Sequence, residues 1–208
     1  MIVPDRQKLV LATHNLDKRI EMKSLLSDLD LDIIGLDKFP DIDNIPENGA
    51  TLLENALIKA NTVYFKTGLP ALSDDTGLEV DVLNGEPGIY SARFAGKNAT
   101  YQDNLQKLLT VMSGIPLKNR TARFRTVVAL VVDNNTELWT EGTVEGLITI
   151  KQRGTGGFGY DPVFEEKDTK KTFSEMTILE KNNISHRSIA LKKMHKKLNT
   201  IFKKKEYR

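Results

Sequence analysis

Strands and helices alternate along the first half of this 208-residue sequence and a long hairpin follows, a pattern that predicts an α/β fold. Three observations carry that expectation. A mostly apolar run at residues 8–13 passes through a short polar turn into a helical repeat of Met22, Leu25, Leu26 and Leu29. A second apolar run, 31–36, precedes a second helical stretch at about 51–67. Two longer segments, 122–132 and 137–150, meet at Asp133-Asn134-Asn135, whose turn chemistry suits a hairpin.

Taken in order, the first strand is apolar enough to be buried on both faces. The turn after it, Thr13-His14-Asn15-Leu16-Asp17-Lys18, sits where a helix begins. Free backbone N–H groups and the positive end of the helix dipole make such a turn attractive to phosphate, although Asn15 serves equally as a plain helix cap. The Gly-x-x-x-x-Gly-Lys pattern of a Walker loop is absent. After the second strand comes an irregular acidic loop through Pro40, Pro46, Glu47 and Gly49. In the second helix Leu53, Ala56, Leu57, Ala60 and Tyr64 form the expected buried stripe, with Glu54, Asn55 and Lys59 expected on the surface. A third helix, 100–112, opens on a Thr100/Asp103 capping box. Ser185 is placed to cap a last helix carrying Ile189, Leu191, Met194 and Leu198.

Composition narrows the function. Hydrophobic residues at 39% and charged residues at 28% describe a soluble globular chain, and no apolar run approaches the roughly 18 residues of a membrane span. The start, Met1-Ile2-Val3-Pro4-Asp5-Arg6, lacks the charged-then-apolar pattern of an export signal, so a cytoplasmic location is expected. With no cysteine, disulfides, thiol nucleophiles and sulfur-held metals are excluded, leaving oxygen-ligated metals. A net charge of +2 does not call for a nucleic-acid partner. The lysines from Lys192 onward, ending in a basic tail at about 201–208, read as a solvated helix face.

Four stretches carry chemistry. Ser73-Asp74-Asp75-Thr76-Gly77 places two carboxylates beside a hydroxyl and a glycine. Read alone it is a turn at a strand end; read chemically, it suits a hard cation such as magnesium. The loop from Gly85 to Arg93 is tight and carries an arginine. Gly154-Thr155-Gly156-Gly157-Phe158-Gly159-Tyr160-Asp161 holds aromatics on a glycine-rich backbone, able to stack on a nucleobase or to plug the core beneath a loop. His186 and Arg187 fall in the first turn of the last helix, where cations oppose the dipole unless a ligand offsets them.

Together these blocks resemble the Ham1-like non-canonical purine nucleoside triphosphate pyrophosphatases, the inosine/xanthosine triphosphatases. The resemblance rests on residues 12–18, 53–60, 73–78, 85–93, 156–162 and 184–187, in the family's order and across nearly the whole chain. It implies an elongated mixed β-sheet with flanking helices in two lobes, an active-site cleft between them, and one two-lobed domain over residues 1–208. It further implies a homodimer that needs Mg2+ and cleaves ITP, dITP and XTP to a monophosphate and pyrophosphate. A small-molecule triphosphate is then the partner, with no nucleic acid and no membrane.

Carried over by position, Thr13, His14, Asn15, Leu16, Asp17 and Lys18 resemble the phosphate-holding turn. Asp75 resembles the catalytic acidic residue and a metal ligand, Glu47 a second metal ligand, and Lys59 the lysine beside the reacting phosphate. Thr76 stands where the family often has serine and is expected to touch substrate. Phe158, Gly159, Tyr160 and Asp161 resemble the base-stacking and base-reading loop; Lys181, His186 and Arg187 resemble the polar side of the base pocket. Two roles stay open to Asp75, metal ligand and general base. The competing expectations are a pyrophosphatase for modified pyrimidines or standard triphosphates, and a nucleic-acid-binding module built on Phe158, Tyr160 and the basic tail.

Overall fold

The computed structural model describes residues 6–205, so the start Met1–Asp5 and the last three residues of the basic tail lie outside it, as do the side chains of 203–205. The fold is α/β, as expected. The sheet order is β2-β1-β3-β5-β6-β7, with β4 paired to β3. β1 (Gln7–Leu11) runs parallel to β2 (Leu31–Gly35) and to β3 (Ala71–Val80). β4 (Pro87–Gly88) is antiparallel to β3, and β7 (Phe164–Glu166) is antiparallel to β6 (Thr136–Ile148). The sheet is therefore mixed. The predicted hairpin is present as β5 (Thr121–Asp133) and β6.

The chain divides into two compact units. The first comprises the residues up to Asp75, Val127–Glu141 and those from Ser188 onward. β1 is buried on both faces from Leu9 to Leu11, and its alternating side chains enter two separate cores. Leu9, Leu11 and Leu72 point into a core with Met22 and Leu26 of α1 (Leu16–Leu25) and Leu191, Met194 and Leu198 of α5 (His186–Lys205). Val10, Ala12 and Ala71 point the other way, onto Val63 of α2 (Leu52–Thr67) and Leu36, Ile42 and Ile45. Lys192, Lys193, Lys196 and Lys197 lie on the exposed face of α5.

The second unit comprises Thr76–Thr126 and Gly142–Arg187. Its core contains Leu105, Leu108 and Met112 at α3 (Tyr101–Val111), whose Thr100/Asp103 capping box is present. Arg120 is buried and donates to the carbonyls of Met112, Ile148 and Thr149 at 2.7–2.8 Å, tying the end of α3 to the strands. Glycine-rich turns 153–161 lead from the strands to α4 (Ile178–Ile184), a short helix that periodicity alone does not reveal. Among the described residues no helix is long and apolar enough to cross a membrane.

Two expectations need correction. Ser73-Asp74-Asp75-Thr76-Gly77 is no turn; β3 runs straight through it. Gly77 is required because a Cβ there would stand 2.9 Å from the Gly88 carbonyl oxygen of β4, which is close approach rather than turning. The stripe of α2 is also displaced. Its buried residues are Leu52, Asn55, Ala56, Lys59, Ala60 and Val63, so Asn55 and Lys59 are inside rather than on the surface. A carboxylate on the neighbouring strand, not hydropathy, decides that rotation.

Candidate active site

Alternation along β3 sends its adjacent carboxylates to opposite faces. Asp74 shares its face with Leu72 and forms an ion pair with Lys18 of α1 at 3.3 Å. Asp75 shares its face with Ser73, whose hydroxyl donates to the Ala56 carbonyl of α2 at 2.5 Å. On that face Asp75 Oδ1 accepts from Lys59 Nζ at 3.1 Å, and Oδ2 accepts from Asn55 Nδ2 at 3.2 Å. Lys59 and Asn55 stand one helical turn apart, so α2 offers both donors to one carboxylate.

Lys59 also donates to Glu47 at 2.5 Å. Glu47 is brought there by a loop pinned to the start of α2. Gly49 N–H donates to Asn55 Oδ1 at 2.8 Å, Ala50 N–H donates to Glu54 at 2.6 Å, and Thr51 caps the helix. A Cβ at Gly49 would lie 2.7 Å from the Glu54 Cβ, so only glycine lets the loop approach this closely. Lys59 is thus bracketed by two carboxylates. Burial disfavours its ammonium, but Asp75, Glu47 and Asp74 outweigh that and hold its pKa above the ordinary value. Burial pushes the Asp75 carboxyl up, a rise that Lys59 and Lys18 only partly offset.

At the start of α1, Asn15 caps the helix by accepting from Lys18 N–H at 3.1 Å, and Asn15 N–H donates to Thr13 Oγ1 at 3.2 Å. His14 is exposed, 3.2 Å from the Asp43 carbonyl oxygen. Leu16 is 55% exposed, so only its backbone N–H has phosphate chemistry to offer. Asp17 is the acidic residue of the first turn. The same turn is both a capped helix start and a patch of N–H donors.

The second unit assembles a different group. Phe158 is half-buried, with the Lys181 ammonium 4.8 Å and the Arg187 guanidinium 5.7 Å from its ring centre. Tyr101 packs against it with ring centres 5.7 Å apart. Asp161 fixes this loop: it accepts from Phe158 N–H at 2.9 Å and from Lys181 at 2.6 Å. Gly157 has φ +72° and a Cβ there would fall 2.1 Å from Asp161 Oδ2, so the glycine is what lets the carboxylate in. Gly159, also left-handed at φ +63°, completes the turn. Tyr160 is core: its hydroxyl donates to the Ser91 carbonyl at 2.9 Å, and burial pushes its pKa up.

His186 lies in an aromatic stack, 4.5 Å from the Phe124 ring and 5.8 Å from Phe173. Arg187, 2% exposed, donates to Thr76 Oγ1 at 3.2 Å. Thr76 in turn lies 2.7 Å from the hydroxyl of Thr126.

The donor set suits a hard cation. Among the described residues no group of three or more histidine, cysteine or acidic side chains is arranged around one point. Asp75 and Glu47 nonetheless offer carboxylate oxygens around the Lys59 ammonium, and magnesium typically takes one or two carboxylates with water and substrate phosphates.

Residues 9–197 match the model of the Ham1 family. The chain belongs to the Ham1 family. Similar curated proteins carry the name dITP/XTP pyrophosphatase. That of Escherichia coli (strain K12) is 49% identical over 188 residues, covering 89% of this chain and 95% of the relative. That of Thermoanaerobacter pseudethanolicus is 46% identical over 187 residues, covering 90% and 94%. Among solved structures, a Ham1 protein from Coxiella burnetii aligns with a TM-score of 0.85 at 41% identity, covering 93% of this chain and 99% of that one. The Ham1 protein of Staphylococcus aureus aligns at 0.83 with 34% identity, covering 93% and 99%.

The site residues named from sequence fall into two local groups. Thr13 to Lys18, Glu47, Lys59 and Asp75 belong to the first unit; Thr76, Phe158 to Asp161, Lys181, His186 and Arg187 belong to the second. Sequence reasoning missed Asn55, Thr126 and Tyr101 as neighbours of those residues. For Asn55 a signal exists: it precedes Lys59 by four and shares a helical face with Leu52, Ala56 and Val63. Thr126 sits inside an apolar strand and carries no local mark.

Proposed function

We propose that this chain hydrolyses non-standard purine nucleoside triphosphates, ITP, dITP and XTP, to the nucleoside monophosphate and pyrophosphate, removing them from the nucleotide pool. The observation that carries the proposal is the Asp75–Lys59–Glu47 group, with Asp75 and Lys59 buried and Glu47 part-exposed, which combines paired carboxylates and a cation in the way phosphate-anhydride chemistry needs. The relatives named dITP/XTP pyrophosphatase support the substrate class.

Asp75 and Glu47 would hold a divalent ion, taken as Mg2+, which would supply charge neutralisation on phosphate oxygens. Where Asp75 is not itself bound to the ion, its carboxylate is the acceptor for the proton of the water that attacks the α-phosphorus. Lys59 and Lys18 stabilise charge on the phosphate oxygens as point cations, and the N–H groups at residues 13–18 hold the remaining phosphates. In the second unit Phe158 stacks on the base, while Arg187 and Lys181 donate to the 6-keto oxygen that hypoxanthine and xanthine present. Adenine offers an amino donor there and leaves the cations unmatched.

The proposal extends to one functional domain spanning both units, acting as a cytoplasmic homodimer on a free nucleotide without nucleic acid. The resemblance supports these points, and the even charge balance of +2 agrees with a mononucleotide substrate. The test incubates the protein and Mg2+ with ITP, XTP, GTP, ATP and dUTP and separates the products. Monophosphate plus pyrophosphate from ITP and XTP is expected. Diphosphate products would refute α–β cleavage, and turnover of none of the five would return the binding-module reading.

A further inference from the structure

Thr126 is fully buried, polar, and has no part in the chemistry proposed above. It lies on β5 beside Thr76 on β3, neighbouring strands of the sheet, and the two hydroxyl oxygens are 2.7 Å apart. Thr76 Oγ1 also receives a hydrogen bond from Arg187 Nη2 at 3.2 Å. The three residues form a chain that runs from the interior of a strand to a guanidinium.

We infer that Thr126 is a positioning residue for base selection: it holds the Thr76 hydroxyl in the rotamer that sets the Arg187 guanidinium. The inference rests on the base-reading role proposed for Arg187. Arg187 stands in the first turn of α5, where the helix dipole disfavours a cation, so side-chain contacts must hold the guanidinium there. A threonine side chain has staggered wells at χ1, and each points its hydroxyl somewhere different. A buried hydroxyl fixed to the adjacent strand selects one well, because a Thr76 oxygen turned elsewhere leaves the Thr126 hydroxyl without that bond in a site cut off from water. Thr126 therefore touches neither base nor phosphate but determines where an acceptor-seeking cation stands.

Thr126→Val removes the hydroxyl at nearly constant shape and keeps a β-branched residue in the strand. Steady-state kinetics with ITP and ATP then read the preference, the ratio of their kcat/KM values. The loss of one neutral hydrogen bond sets the scale, so that ratio should fall between about twofold and tenfold, mainly through a higher KM for ITP. Thr126→Ser, which keeps the hydroxyl, should restore it. An unchanged ratio in Thr126→Val overturns the inference, as does an equal loss in Thr126→Ser, which would assign the effect to the methyl group. If Thr126→Val does not fold, Thr126→Cys, similar in size with a weak donor, takes its place: a fall in the ratio supports the inference and an unchanged ratio overturns it. Arg187→Ala in the same assay separates the two layers. If Arg187→Ala lowers the ratio and Thr126→Val does not, only the inference falls; if Arg187→Ala leaves it unchanged, the base-reading role falls and takes the inference with it.

Discussion

The two groups of functional side chains solve opposite electrostatic problems. In the first unit three carboxylates, Asp74, Asp75 and Glu47, face two ammonium groups, Lys18 and Lys59. In the second unit one carboxylate, Asp161, faces Lys181, with Arg187 on the same aromatic ring. Within these contacts carboxylates outnumber ammonium groups in the first group, and cations outnumber carboxylates in the second. A deficit of cations invites a metal ion; a surplus of donors invites a ligand rich in acceptors. The difference teaches that burial alone does not identify a role here, since Lys59 and Lys181 are about equally buried, at 7% and 6% exposure. What separates them is their setting: Lys59 is bracketed by Asp75 and Glu47, whereas Lys181 pairs with Asp161 and lies over the Phe158 ring.

The largest expected effect tests the first group at its centre. Asp75→Asn keeps the shape and the Asn55 contact but removes both the charge and the proton acceptor. kcat for ITP should drop by about a thousandfold or more, the scale of a lost general base combined with weakened metal binding. Nucleotide binding, followed by calorimetry, should persist. Near-normal kcat in this variant would remove Asp75 from the chemistry.

The next effect is on stability and sets the two lysines against each other. Lys59→Met leaves Asp75 and Glu47 facing each other without their shared cation, and an uncompensated buried charge costs about 3–5 kcal/mol. Magnesium should recover much of the lost Tm, because an ion can take the place of the ammonium. Lys181→Met should also destabilise by taking the ammonium from the buried Asp161, whose carboxylate still accepts from the Phe158 N–H, and magnesium should recover little. Equal recovery in both variants would erase the proposed difference between the groups.

Much of this was legible in the sequence. The β1–α1 start, the β5–β6 hairpin and the capping box of α3 follow from periodicity and turn chemistry. What the sequence hid was set by contacts between distant residues. Asp74-Asp75-Thr76-Gly77 has turn composition, and pairing of each carboxylate with a separate lysine, helped at Asp75 by Asn55, makes an extended, buried strand tolerable. Asn55 and Lys59 read as surface residues by hydropathy, since their partner lies 20 and 16 positions away on β3. In the second unit, Tyr160 and His186 are built into core packing, which their place in a motif does not disclose.

Arg187→Ala comes third. The lost contact is a hydrogen bond from a charged donor, worth about 1.5–3 kcal/mol, so the preference for ITP over ATP should fall by about ten- to a hundredfold. Because Arg187 is proposed to touch the base and not the phosphates, kcat for ITP at saturation should change far less than in Asp75→Asn. A collapse of kcat with the preference intact would place Arg187 in the phosphate chemistry instead.

The smallest effect concerns the ring that both cations approach. Phe158→Ala removes a stacking surface worth about 1–3 kcal/mol per base, so KM should rise by about tenfold for ITP. Stacking tolerates any base because each presents a π-face, whereas hydrogen bonding does not. The rise should therefore be nearly the same for ITP and ATP, leaving their ratio where it was. Phe158→Trp, which retains a stacking face, should keep KM closer to the parent value than Phe158→Ala does. Parallel losses for the two nucleotides would divide the second group into an aromatic that holds any purine and cations that choose among them. A loss confined to ITP would instead make Phe158 part of the selection, with Lys181 and Arg187 acting through the ring they flank at 4.8 and 5.7 Å.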